Sequence, residues 1–186
     1  MSQYNTFIMI DKHKKTGLKL LIKKILVPFD NSIYSEKSLA YAANLANVIF
    51  LGNRNKPVVK IIMLHVIQEL PITKSLLDKP LINKKGDSVT TLSEHALELY
   101  KQIEDTMQET MQEKIDKIGS VDGVRFERVI IYGNPSNEIV NYAKKNKVDL
   151  LIMGSNGLQG LAKIKGLGSV SRKVSERISC PITIIR

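Results

Sequence analysis

Residues 153–171 read MGSNGLQGLAKIKGLGSVS and hold five of the chain's eleven glycines. The apolar run VDLLIM, 148–153, leads into the stretch, and Val170, Val174 and Ile178 beyond Ser169 are spaced for one face of a helix. A glycine turn between a buried strand and a helix start can aim backbone N–H groups at an anion. It can equally be a flexible lid that holds nothing. The fold around it decides between the two.

Working outward, the same alternation recurs. Residues 25–29 read as a buried strand that ends in Pro28-Phe29-Asp30. Asn31 or Ser32 can cap the helix that follows, whose Leu39, Ala42, Ala43, Ala46, Ile49 and Phe50 share a face, and Gly52 offers a left-handed stop. VVKIIMLHVI, 58–67, is β-branched and apolar, a second strand. Residues 68–87, with two prolines, a glycine and several lysines, read as a loop. A long helix is expected over roughly 90–118: Thr91 and Glu94 have capping-box spacing, and Leu92, Ala96, Leu99, Ile103, Met107, Met111, Ile115 and Ile118 step by three or four. VRFERVII, 124–131, is a third strand; Asn134 and Pro135 then open a helix. PITII, 181–185, is the last strand. Strands alternating with helices imply a parallel sheet covered on both faces. Right-handed crossovers put Asp30, the loop after Val66 and the glycine stretch at the C-terminal end of that sheet, where open α/β sheets bind ligands.

The chain has 186 residues, enough for one domain with a real core. Its one cysteine, Cys180, cannot form an internal disulfide, and the three histidines have no metal-ligand spacing. No apolar run is long enough to span a membrane, and the N-terminal FIMI is too short for a signal-peptide core. These features argue for a cytoplasmic protein. The net charge of +10 is unevenly placed: residues 1–24 and 163–186 each carry +5, and the rest sums to zero. The C-terminal excess overlaps the glycine stretch, as an anion site requires. The N-terminal excess suits a solvated basic tail or an acidic partner. Aromatic residues are 5% and none is interleaved with the basic runs, which argues against a nucleic-acid partner.

Within the glycine stretch, Ser155 and Ser169 add hydroxyl donors, and Lys163 and Lys165 add charge. Asp30 fits two roles, acceptor for a ribose hydroxyl or acid at a helix start. The phosphate loop G-x-x-x-x-G-K-[ST] is absent, and Gly154, Gly157 and Gly160 do not make the dinucleotide signature. No Ser-His-Asp or Cys-His order stands out. His65, inside an apolar strand, reads as a packed histidine rather than a base, and Glu138 as a helix-dipole partner.

KKILVPFDNS, LHVI, GNPSNEIVNYAKKNKVDLLIMGS and GSVSRKVSERISCPITIIR occur in that order across residues 23–186. In these motifs the chain resembles the UspA-like universal stress protein family, of the ATP-binding type. The resemblance implies one family domain over 23–186 behind a basic extension, 1–22. It implies an α/β Rossmann-like (adenine nucleotide alpha hydrolase-like) fold: an open five-stranded parallel sheet, order 3-2-1-4-5, with helices on both faces. A homodimer through the last strand, 181–185, is implied as well. The family's motif G-x2-G-x9-G-[ST] falls on Gly154, Gly157, Gly168 and Ser169, with Val170 beside the phosphates and base and ribose contacts on Pro28, Asp30 and the Val66 backbone. Ten residues, not nine, separate Gly157 from Gly168. Both glycine ends are intact, so the extra residue is expected to bulge out. The function implied is an adenine-nucleotide-binding stress-response regulator, taking ATP with Mg2+ or Mn2+ and hydrolysing it slowly at most. The alternatives are a dimeric interaction module of the same fold that binds no nucleotide, and a basic protein associated with nucleic acid.

Overall fold

The computed structural model describes residues 7–9, 22–53, 57–68, 80–82, 88–157 and 166–186. In chain order the elements are β1 (Phe7–Met9), β2 (Lys24–Pro28), α1 (Ile33–Leu51), β3 (Val59–Ile67), β4 (Pro80–Ile82), β5 (Ser88–Thr91), α2 (Leu92–Ile118), β6 (Val124–Tyr132), α3 (Pro135–Lys145), β7 (Leu150–Gly154), α4 (Ser169–Arg177) and β8 (Ile182–Ile185).

Ile25, Leu26 and Val27 of β2 expose no surface at all, because strands and helices enclose β2 on every side. It pairs in parallel with β3 on one flank and β7 on the other. β6 extends the sheet beyond β3, and β8 beyond β7. The five parallel strands run β6-β3-β2-β7-β8, which is the expected order 3-2-1-4-5. Their side chains alternate between two layers. Ile25, Val27, Ile61 and Met63 pack with Leu39, Ala42 and Ala46 of α1 and Met111 of α2. Leu26, Ile62 and Leu64 pack on the other face with Ile139 and Ala143 of α3 and Val174 of α4.

The helix starts follow the sequence closely. Ser32 caps α1, accepting from Ser35 N–H at 3.2 Å. Thr91 and Glu94 form a reciprocal capping box on α2. Asn134 caps α3 ahead of Pro135. Gly52 departs from expectation: its φ of −78° is right-handed, so α1 ends without a left-handed residue.

Three further features differ from the sequence reading. The stretch read as a loop contains β4, which pairs antiparallel with β5 just before α2; strands of three and four residues are too short to show a period. Only the second half of the α2 stripe packs on the core. Met107, Ile115 and Ile118 lie against it around fully buried Met111, whereas Leu99 and Ile103 are 46% and 47% exposed. A helix of 27 residues, about 40 Å at 1.5 Å per residue, outruns the longest strands. Part of the N-terminal extension joins the sheet, since β1 pairs antiparallel with β8. The outer edge of residues 181–185, expected to receive a second copy, is therefore taken by the chain itself.

Met111 is the one buried residue of α2. Met111→Ala is expected to lower unfolding free energy by about 2–4 kcal/mol through the cavity it leaves, read by urea denaturation. Leu97→Ala, at an exposed position, should change it by less than about 0.5 kcal/mol.

Candidate functional site

Parallel order reverses at β2, whose chain continues to β3 on one side while β7 lies on the other. The loops leaving β2 and β7 diverge there and leave a crevice. A cleft of about 640 Å³ fills it. Its walls are the turn after β2, the ends of β3 and β7, and the starts of α3 and α4.

The turn after β2 is held from two sides. Phe29 N–H donates to the Leu64 carbonyl at 2.8 Å. The Phe29 carbonyl lies 2.8 Å from His65 Nδ1. A carbonyl only accepts, so Nδ1 carries the proton in this contact. Asp30 follows, and its Oδ1 accepts from Ser32 N–H at 3.1 Å, beside the start of α1. Its Oδ2 reaches across to the glycine loop, where a Cβ on Gly157 would sit 2.6 Å from it. Asp30 thus serves the helix start with one oxygen, while the other faces the loop that bounds the cleft.

The glycine loop is closed at its base by the backbone of Ser155. Ser155 N–H donates to Ile185 O at 2.8 Å, and Ser155 O accepts from Gly168 N–H at 2.8 Å and from Ser171 Oγ at 2.7 Å. These bonds bring the GSNG and GSVS ends together. Gly168 is the N-cap of α4 and brings no side-chain cap, unlike Ser32, Thr91 and Asn134 on the other helices. The start of α4, which no side chain among the described residues caps, borders the cleft.

Of the residues expected from sequence, Pro28, Asp30, Val66, Gly154, Gly157, Gly168, Ser169 and Val170 line one cleft. Ser155 does not; it is 2% exposed and acts through its backbone. Gly154 lines the cleft but is required for another reason. A Cβ there would stand 2.7 Å from Tyr34 Cβ and 3.0 Å from the Tyr34 carbonyl carbon, so the glycine lets α1 pack on β7. Asn156 is a lining residue that sequence reasoning passed over, although its place as a polar residue between two glycines of GSNG was an available signal. His65, read from sequence as a packed histidine, also lines the cleft. Lys163, Lys165 and the extra residue of the loop lie outside the described residues. Asp30 is the one acidic side chain among the described lining residues. Cys180 lies in the layer below α4, where burial pushes its thiol up from the ordinary value and makes it a poor nucleophile.

A match to the universal stress protein family spans residues 21–186. The chain belongs to that family. Universal stress protein YxiE of Bacillus subtilis is 30% identical over 167 residues, covering 89% of this chain and all of that protein. Universal stress protein MJ0577 of Methanocaldococcus jannaschii is 27% identical over 172 residues, covering 91% and 98% of the two chains. The solved structure of MJ0577 superposes with a TM-score of 0.63 over 88% of this chain and 94% of its own. UspA from Lactobacillus plantarum shares the fold at a TM-score of 0.66 and 21% identity, over 88% and 97% of the two chains. A universal stress protein solved in complex with cAMP aligns at a TM-score of 0.50 and 20% identity, over 88% and 96%.

Two glycines of the family motif should respond differently to the same substitution. Gly154→Ala forces a methyl group onto the α1 backbone and is expected to cost about 1–3 kcal/mol of stability, read by thermal melting. Gly157→Ala meets only the Asp30 carboxylate, so stability should stay within about 0.5 kcal/mol in the same measurement.

Proposed function

We propose that this universal stress protein is an adenine-nucleotide-binding regulator of the stress response, holding ATP in the cleft at the C-terminal end of the sheet. The observation that carries the reading is the start of α4. Among the described helices it is the one without a side-chain cap, it begins on a glycine, and Gly168, Ser169 and Val170 line the cleft. The N–H groups and partial positive charge of a helix start, with a neighbouring hydroxyl, suit a phosphate group. At the other end, Pro28 and Val66 offer apolar surface to a base, and Asp30 offers a carboxylate to ribose hydroxyls. A volume of about 640 Å³ falls within the range of small-molecule sites. The cAMP complex of a relative with this fold is a fact about that protein; the proposal for this chain stands on its own cleft.

A divalent ion, Mg2+ or Mn2+, would arrive with the phosphates. Among the described residues no three His, Cys, Asp or Glu side chains come together to hold one beforehand. Hydrolysis is expected to be slow. Asp30 Oδ1 accepts from Ser32 N–H at the start of α1, and the Nδ1–H of His65 is held by the Phe29 carbonyl, so both brace the rim of the cleft. A cytoplasmic location is part of the proposal; no helix of the described residues is long and apolar enough to cross a membrane. A homodimer through 181–185 needs the edge of β8 to be open.

Calorimetry with ATP and AMP tests the reading, together with mass spectrometry of small molecules released from the denatured protein. ATP should bind, and Ser169→Ala should weaken it about tenfold, the loss of one hydrogen bond to a charged group (~1.5 kcal/mol). No heat and no thermal shift with either nucleotide at millimolar concentration would overturn it and favour the interaction module.

A further inference from the structure

The polar side chains along the cleft fall into two groups. One group is held by the protein itself. Ser35 Oγ donates to the Ser32 carbonyl at 2.9 Å, and Ser32 Oγ accepts from Ser35 N–H. Ser171 Oγ donates to the carbonyls of Ser155 and Gly168. Asp30 Oδ1 and His65 Nδ1 are engaged in the bonds that brace the rim. The other group is Gln68, Asn156 and Ser169, which line the cleft and whose side chains bond no other described residue.

Two of these three stand at the start of α4. Ser169 is its first residue, and a Cβ on the N-cap Gly168 would lie 3.3 Å from Asn156 Oδ1. Gln68 stands apart from them. It follows β3, whereas Asn156 follows β7, and those strands flank β2 on opposite sides. Two strand spacings separate them, about 10 Å at ~4.8 Å per step. Leu64, Val66 and Gln68 are alternate residues that all line the cleft. With Ile139 and Met153 the first two make an apolar wall, and Gln68 is the polar residue at its end. The chain is anchored up to that point. Ile67 pairs with Tyr132 at the end of the β3–β6 ladder, and its carbonyl accepts from Gly133 N–H at 3.0 Å.

We infer that Gln68 is a specificity-determining residue of the cleft, its side-chain amide reading the edge of an adenine base; this rests on the nucleotide reading above. A nucleotide with its phosphates at α4 crosses β2 and carries its base toward the end of β3. The apolar wall takes the flat face of the base, and the amide meets its edge. A primary amide carries a donor and an acceptor side by side. Adenine presents N6–H2 beside N7, a donor next to an acceptor, so two parallel bonds form. Guanine presents two acceptors there, O6 and N7, and the amide keeps one bond.

The test is calorimetry of ATP and GTP with the full chain and two variants, read as the ratio of the two affinities. The unaltered chain should prefer ATP. Gln68→Leu, which removes both bonds, should narrow that preference about tenfold, the discrimination of one bidentate pair. Gln68→Arg offers two donors, which suit O6 and N7, and should tip the ratio toward GTP. The added charge attracts both triphosphates alike, so the ratio isolates the base. Gln68 is exposed, and neither variant should move the melting temperature of the ligand-free protein. An unchanged ratio in either variant overturns the inference, as does an equal loss for both nucleotides or an unaltered chain with no preference for ATP. A full chain that binds neither nucleotide overturns the nucleotide reading itself, and this inference with it.

Discussion

A strand buried on both faces must be covered on both faces, and β2 imposes that condition on the whole chain. With Ile25, Leu26 and Val27 fully enclosed, neither side of the sheet can be left to water. α1 and α2 cover one layer, α3 and α4 the other. Parallel pairing on both flanks of β2 then requires long crossovers, and crossovers of one hand deliver every strand-to-helix turn to the same end of the sheet. The cleft follows from the burial of β2: it is the gap left where chains leave β2 and β7 in opposite directions.

Chemistry at the cleft depends on what holds its rim. A hydrogen bond from Phe29 N–H to the Leu64 carbonyl and one from His65 to the Phe29 carbonyl fix the turn, so Asp30 is presented from a braced backbone. Ser155 does the corresponding work opposite. Its carbonyl takes the Gly168 N–H and the Ser171 hydroxyl, and its N–H ties the loop to the end of β8. The GSNG and GSVS ends are thus tied directly to one another by bonds that involve none of the ten residues between Gly157 and Gly168. The glycines differ in role: Gly154 admits α1 to β7, Gly157 admits the Asp30 carboxylate, and Gly168 brings no side-chain cap to its helix.

Much of this was legible in the residues. Capping signals at Ser32, Thr91 and Asn134 act over three or four positions, and short-range hydrogen bonds of that kind survive any tertiary context compatible with a helix. The apolar run Ile61–Leu64 and the stripe around Met111 reported burial correctly because core packing rewards both patterns. The first half of the α2 stripe misled: periodicity tells which side of a helix is apolar, and says nothing about how far the sheet beneath it extends. β4, β5 and β1 were passed over because three or four residues cannot establish a period.

The sequence alone determined the alternation of strands and helices, the parallel sheet and the two glycine ends that flank its cleft, because each is written in patterns a few residues long. Tertiary structure decided that Ser155 serves through its backbone rather than its hydroxyl, that His65 turns to the Phe29 carbonyl, and that Phe7–Met9 closes the edge of β8. Those outcomes rest on contacts between residues far apart in the chain. Only the folded arrangement brings such groups within hydrogen-bonding distance, so no local pattern can record them.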